Sequence, residues 1–501
     1  MKLAPTDEQL HCIDAYRQGR VLKVNALAGT GKTTTLELMA DARRIKTLYI
    51  AYNRAVVEEA KRRFPKTHVV CKTAHQVAFA AVGYRFADRL EGGNGGRLTP
   101  YRVAKTMGAT PVGGLNARVV AALTVLTLTN WFNSVDHHIL DEHVPKDILK
   151  RHGAPLNWSA SDYDMASVSI EQKTQELWEC ILAGKHGLPM PHDGYAKLFS
   201  LSPPQLPYAS ILVDESQDLN PTLLRVLDVQ DTQKTLVGDT FQQLYAWRGA
   251  INSLAKVSAD TTCYLTESFR FGPNIANAGN AVLQLLRAPV AVKGRGPGGE
   301  DSGKPAILCR TNGALIAELM TRALAQEKRV FVVGGTETPR RLVLGLQDLM
   351  AGRPSHHPDL IGFRDYAEFA DAADDDGAPP DMKMLARLMS EFPPSMLLQA
   401  LEAAEFTRAE DAEVTVSTAH KAKGLEWDHV ALADDFMEPM DDKFTLEEAN
   451  VAYVAVTRAK RQLYGCKQLL KQYLLAGKAM ANAQQASHGM QPSQQVQEIR
   501  M

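Results

Sequence analysis

Eight consecutive residues constrain this chain more than any others: Ala26, Leu27, Ala28, Gly29, Thr30, Gly31, Lys32 and Thr33. An apolar run over Val21–Asn25 precedes them and reads as a short buried strand. A helical run from Thr33 to Arg43 follows. A glycine-bearing turn in that context is a Walker A segment, here with Ala26 where the first glycine usually stands. Backbone N–H groups of such a turn, together with the helix N-terminus, cradle phosphates. Lys32 is placed to reach the β- and γ-phosphates, and Thr33 to hold Mg²⁺. Two more strand candidates, Thr47–Ala51 and Val69–Thr73, flank a helix over Arg54–Arg63. That alternation predicts a parallel sheet with crossover helices.

A second apolar run, Ile211–Val213, ends in Asp214 and Glu215. It puts two carboxylates at a strand's C-terminal edge, where open α/β sheets bind ligands. By itself such a pair is a solvated strand end. Beside a phosphate turn it acquires roles: Asp214 in the Mg²⁺ shell and Glu215 as general base for the attacking water. Phosphoryl transfer also needs positive charge on the γ-phosphate in the transition state. Arg270 and Arg458 are candidates, but charge alone does not single them out.

The rest of the chain divides by pattern. From about 85 to 195 the sequence is mostly helical, with a loop at Glu91–Gly96. Strands resume at Ser210–Asp214, Thr235–Asp239 and Cys263–Leu265. A second alternating set follows: strands at Ala306–Arg310, Val330–Gly334, Val414–Ser417, His429–Ala433 and Gln462–Cys466, and helices at Gly313–Gln326 and Leu446–Arg458. The glycine-rich stretch Lys293–Lys304 reads as a loop, and helical and acidic sequence interrupts this second set between about 336 and 409. From about 471 the chain is rich in Gln, Ala and Ser and reads as a frayed tail.

Composition narrows the classes. Lys plus Arg number 56 against 57 Asp plus Glu, for a formal net charge of −1. A nucleic-acid contact would therefore have to come from a local groove rather than a global basic field. Six cysteines stand singly with no CxxC pair, which argues against a zinc site or a disulfide framework. No apolar h-region opens the chain and no apolar run spans a bilayer, so a cytoplasmic protein is expected, or a nuclear one in a eukaryote.

Ten stretches, in order, carry a family resemblance: TDEQ at 6–9, ALAGTGKTTTL at 26–36, YIAYNRAVVEEAKRRF at 49–64, CKTAH at 71–75, HDGYAKL at 192–198, VDESQD at 213–218, VGDTFQQLYAWRGA at 237–250, LTESFRFG at 265–272, STAHKAKGLEWD at 417–428 and EEANVAYVAVTRAK at 447–460. The chain resembles superfamily 1A helicases of the UvrD/Rep type, and in particular the helicase region of the F-box DNA helicases. The resemblance implies an α/β fold of two RecA-like P-loop lobes, each with a mostly helical insertion. The first lobe would take 1–84 and 196–265, with an insertion over 85–195. The second would take 266–335 and 410–470, with a reduced insertion over 336–409 and a flexible tail over 471–501.

The same resemblance implies roles. Ala28, Gly29, Thr30, Gly31, Lys32 and Thr33 would line the phosphates. Thr34 joins them by position, although some relatives carry arginine there. Gln9 would read the adenine edge, Phe269 would stack on the base and Glu426 would contact the ribose. Gln242 would sense the γ-phosphate, and Arg270 and Arg458 would be arginine fingers. Asn53, Arg54, Thr73, His75, Tyr245, Trp247, Arg248, His420 and Lys421 would face a DNA strand, with Lys423 and Trp427 extending that face. Tyr245 and Trp247 sit two apart, so both can face one way in an extended segment. Taken alone, such a pair is more often buried in a core. His192–Tyr195 match the family without a role that chemistry supplies.

The expected cofactors are ATP and Mg²⁺. The expected partners are single-stranded DNA, single/double-strand junctions and recombinase or repair proteins, with the chain a monomer in isolation and no membrane involved. The leading expectation is a 3′→5′ DNA helicase. A translocase that strips proteins from single strands, and a nucleotide-gated subunit of a nuclease or defence complex, are the alternatives. No F-box or nuclease segment is visible in the sequence, and the second insertion is far shorter than in UvrD.

Overall fold

The computed structural model describes residues 4–488 apart from 52–53, 94–95, 109–110, 245–253, 255–256, 300–302, 354, 356, 361, 376–377 and 440–443, with side chains as far as 479. Two parallel sheets organise it, as the α/β reading requires. The first contains β1 (Leu22–Ala26), β2 (Thr47–Ala51), β3 (Val69–Thr73), β4 (Ser210–Val213), β5 (Gln233–Gly238) and β6 (Thr261–Leu265), in the order β3-β2-β4-β5-β1-β6. Strands β2 and β4 are buried along their whole lengths. Near-continuous apolar runs such as TLYIA and SILV are what a sheet covered on both faces demands.

Two short parallel strands, β7 (Glu267–Ser268) and β8 (Lys293–Gly294), lead into the second half. The second sheet contains β9 (Pro305–Cys309), β10 (Val330–Val332), β11 (Val414–Thr418), β12 (Trp427–Leu432) and β13 (Ala459–Tyr464), in the order β10-β11-β9-β12-β13. All of its pairings are parallel.

Between β3 and β4 lie helices including Ala117–Phe132 and Ala160–Ala183. Their inner faces (Leu128, Trp131, Leu177, Trp178) share one core with Ile50, Ile211 and Val213 of the first sheet. Farther out, Leu115, Val119, Leu123, Leu149 and Ile170 form a core of their own. The helices between β10 and β11 behave differently. Leu342, Leu346, Phe369, Leu388, Leu397 and Leu401 from these helices join Ile307, Val330, Val332, Val414 and Val416 in a single core. Among the described residues the second insertion is continuous with the second sheet.

Three sequence expectations change. The frayed tail begins instead as a helix, Lys467–His488, packed on helix Pro273–Leu285: Tyr473 is fully buried, and Gly477 lies against Gln284. Its Ala, Gln, Leu and Lys content, read as low complexity, is equally a set of strong helix formers. The loop at Lys293–Lys304 contains β8. Strands β12 and β13 begin two and three residues earlier than hydropathy suggests, because Lys460 and Arg461 pair with Asp428 at 3.2 and 3.8 Å. No helix among the described residues is long and apolar enough to cross a membrane.

Candidate active site

The turn after β1 is shaped by its glycines. Gly29 has φ +75°, and a Cβ there would stand 2.4 Å from Ser268 Oγ and 2.6 Å from Arg270 Cβ. Only glycine lets β7 approach this closely, and the approach is sealed by Phe269 N–H donating to Gly29 O at 2.9 Å. Gly31, at φ +81°, starts helix Lys32–Ala42 without a side chain to cap it. The first N–H groups of that helix are thus left for an anion. Thr30 is buried, its hydroxyl bound to Leu27 O. Ala28 N–H donates across the cleft to the Tyr453 hydroxyl at 3.3 Å.

Lys32 and Thr33 meet the carboxylates at the end of β4. Lys32 Nζ lies 3.0 Å from Glu215, and Thr33 Oγ1 donates to Asp214 Oδ2 at 2.9 Å. Tyr49, from β2, donates to the same Asp214 oxygen at 2.7 Å. Glu215 has φ +51°, a left-handed conformation that costs a non-glycine residue about 1–3 kcal/mol and concentrates at functional sites. Burial pushes the Glu215 carboxyl up, but Lys32, Lys423 and the Gln217 amide outweigh it and hold it down to about 2. Asp214 goes the other way, raised by burial and by Glu215 beside it. Burial also lifts Asp218 and Asp239 to about 6.

The second half of the chain reaches into this network. Arg458 is almost wholly buried, and its Nη2 donates to Gln242 Oε1 at 3.1 Å. Gln242 in turn donates to Asp239 Oδ2 at 2.7 Å. Burial and the neighbouring Arg270 hold Arg458 down to about 9. Lys423 forms a second bridge, to Asp218 at 2.5 Å and to Gln242 O at 2.8 Å, with the two charged side chains 11% and 3% exposed. Lys423, expected on the DNA face, is therefore a buried cross-cleft cation. Charge and spacing alone could not place it, since its partner is 205 residues away.

The nucleotide residues expected at the margin divide. Phe269 is 40% exposed beside the phosphate turn, as a stacking surface would be. Arg270 donates to Glu426 at 2.7 Å and to Thr457 O at 3.1 Å, so the expected finger and the expected ribose contact hold each other. Gln9 is buried. Its amide accepts from Thr6 N and donates to Thr35 Oγ1 at 3.0 Å. Thr34 accepts from Arg63 at 2.8 Å and faces that arginine.

Of the strand-facing residues, Asn53, Tyr245, Trp247 and Arg248 lie outside the described residues. Arg54 is exposed at the start of its helix. Thr73 is buried, and its oxygen caps helix Ala74–Ala81 through Gln76 N. His75 is half-exposed, 3.6 Å from Asp193, with the Tyr195 ring edge-on at 6.0 Å. The HDGYAKL stretch thus forms the wall against which His75 rests, and its Lys197 is buried 4.9 Å over the Trp131 ring. Burial and Arg310 hold His420 down to about 4, with a hydrogen bond to the Leu244 backbone opposing them. At neutral pH it is uncharged and bonded to the Leu244 backbone. The Lys421 stem lies across Gly334.

Comparison with known proteins agrees with this arrangement. Residues 363–467 match the UvrD-like helicase C-terminal domain, and residues 9–248 match an AAA domain. F-box DNA helicase 1 of Gallus gallus is 31% identical over 94% of this chain and 50% of its own length. F-box DNA helicase protein 1 of Schizosaccharomyces pombe is 29% identical over 94% of this chain and 58% of its own length. The chain therefore spans about half the length of these curated relatives. DNA helicase IV of Escherichia coli is 36% identical over 16% of this chain.

Proposed function

The chain belongs to the UvrD-like helicase family, and from that premise we propose that it is an ATP-driven motor that moves 3′→5′ on single-stranded DNA and opens duplexes at junctions. One observation carries the reading. Arg458, from the second lobe, reaches Gln242 of the first, beside the Lys32–Glu215 pair. The cradle and base stand on one lobe and the cation for the transition state on the other, so hydrolysis reports closure of the cleft. A nucleotide bridging the lobes would draw them together, and hydrolysis would remove the bridge.

The ion pair at the centre supplies a switch. Lys32 and Glu215 neutralise each other at 3.0 Å. A phosphate on the turn takes Lys32, which frees Glu215 to accept a proton from water. The oxygen donors of Thr33 and Asp214 suit Mg²⁺, a hard cation that would neutralise charge on the phosphate oxygens. Phe269 would stack on the base, and Gln242 would link the γ-phosphate to the aromatic segment after Leu244.

Stripping proteins from single strands with weak strand separation is the second reading. The merging of the second insertion into the core of its lobe favours it, since among the described residues the insertion forms no separate arm to press on a duplex. Strand displacement by the purified chain, on duplexes with a 3′ or a 5′ tail, tests both. Unwinding from the 3′ tail alone is expected, with Lys32→Ala abolishing unwinding and ATP hydrolysis together. Unwinding only from a 5′ tail overturns the polarity. Hydrolysis without displacement moves the reading to stripping.

A further inference from the structure

Tyr49 lies in the middle of β2, paired with Cys71 of β3 and Leu212 of β4, and is fully buried. Its ring packs on Phe64 at 4.7 Å between centroids. A phenylalanine would fill that space equally well, so packing does not explain the hydroxyl. A buried tyrosine hydroxyl needs a hydrogen-bond partner. Here the partner is the carboxylate of Asp214, at 2.7 Å.

The carboxylate is held at both oxygens. Oδ1 accepts from Glu215 N–H at 2.9 Å, and Oδ2 accepts from Thr33 Oγ1 and Tyr49. Asp214 N–H also donates to Ile50 O at 2.8 Å, which ties it to the residue next to Tyr49. Of these side-chain and backbone donors to the carboxylate, Glu215 N–H belongs to the loop that Asp214 itself begins. Thr33 belongs to the phosphate turn, whose hydroxyl would face the metal. Tyr49 is the donor fixed to the sheet and independent of nucleotide.

We propose that Tyr49 is a positioning residue for Mg²⁺: its hydroxyl sets the orientation of the Asp214 carboxylate, so that the metal site is formed before nucleotide arrives. This rests on the nucleotide reading above. Groups that orient a metal-facing carboxylate typically contribute 10–100-fold to metal affinity or activity. Tyr49 also packs the site against the element that follows β2. Phe64, against its ring, ends the segment that begins with helix Arg54–Arg63, whose first residue is an expected strand contact.

The test is a Mg²⁺ titration of fluorescent ATP-analogue binding by the full chain, wild type against Tyr49→Phe, alongside the Mg²⁺ dependence of ATP hydrolysis. We expect the Mg²⁺ half-saturation to rise on the order of tenfold. Analogue affinity in EDTA and the melting temperature should stay unchanged. An unaltered Mg²⁺ dependence overturns the proposal. So does an affinity lost equally in EDTA and in Mg²⁺, which would mark Tyr49 as structural only. If wild-type protein binds the analogue identically with and without Mg²⁺, the proposal fails alone; if it binds no analogue under either condition, the nucleotide reading fails and the proposal with it.

Discussion

The two lobes bring differently anchored side chains to one cleft. In the first lobe, Lys32, Thr33, Glu215 and Asp214 close on one another or on Tyr49 of the same sheet. In the second, Arg458, Lys423 and Tyr453 find partners across the gap, at Gln242, Asp218 and Ala28. The first lobe's contacts are internal to it. The second lobe adds contacts that cross the cleft, with Arg458 also seated on its own lobe at Val454 O and Leu425 O. Affinity for nucleotide should therefore belong to the first lobe, and turnover to both.

Arg458→Ala is the sharpest way to break that division. Arginine fingers contribute roughly 10³–10⁵-fold to turnover. The variant should lose hydrolysis on that scale while binding ATP nearly as tightly, as measured by kcat and by equilibrium binding. A comparable loss of affinity would mean that the second lobe builds the binding site too. Glu215→Gln should cost roughly 10²–10⁴-fold in turnover, the usual range for a general base. With the Lys32 counter-charge removed, nucleotide should bind at least as well as in the wild type. Weakened binding would contradict a self-contained first lobe.

A smaller effect comes from pH. Asp218 is held up to about 6 by burial, against the pull of Lys423. Above about pH 6 it is charged and the cross-cleft ion pair stands; as pH falls through about 6 it protonates and the pair is lost. Asp239, also near 6, weakens its bond from Gln242 over the same window. DNA-stimulated hydrolysis should decline several-fold there, although Glu215, near 2, remains ionised. Asp218→Asn should bring the rate above pH 6 part of the way down to the acid level. A decline confined to the ordinary carboxylate range near pH 4 would remove the cross-cleft pair from closure.

The sequence made local features readable and distant ones opaque. Strands β2 and β3 and helix Arg54–Arg63 start and stop where the apolar pattern predicts, because each is bounded by charge or a turn. Strand β13, AKRQLY, was harder: a polar strand stabilised by Asp428 carries little apolar signal. The phosphate turn and the Asp214–Glu215 pair each lie within one short segment, and both were visible. Tyr49, Tyr453 and Lys423 carry no sequence signal for their contacts in the cleft, because their partners are 165, 425 and 205 residues away. No periodicity reports a contact at that separation. Thr73, expected to face a DNA strand, also caps helix Ala74–Ala81, a job Thr before an apolar run is suited to.

The continuous core beneath the second insertion has a mechanical consequence. Helices Glu337–Met350, Pro380–Glu391 and Pro394–Glu405 are packed into the same apolar mass as β9, β10 and β11. Close-packed interiors transmit strain instead of absorbing it. A rotation of the second sheet at each round of closure would carry these helices through the same angle, and their outer ends would travel farther than the cleft itself. The lobe would then work as a rigid crank, its throw set by the reach of the insertion.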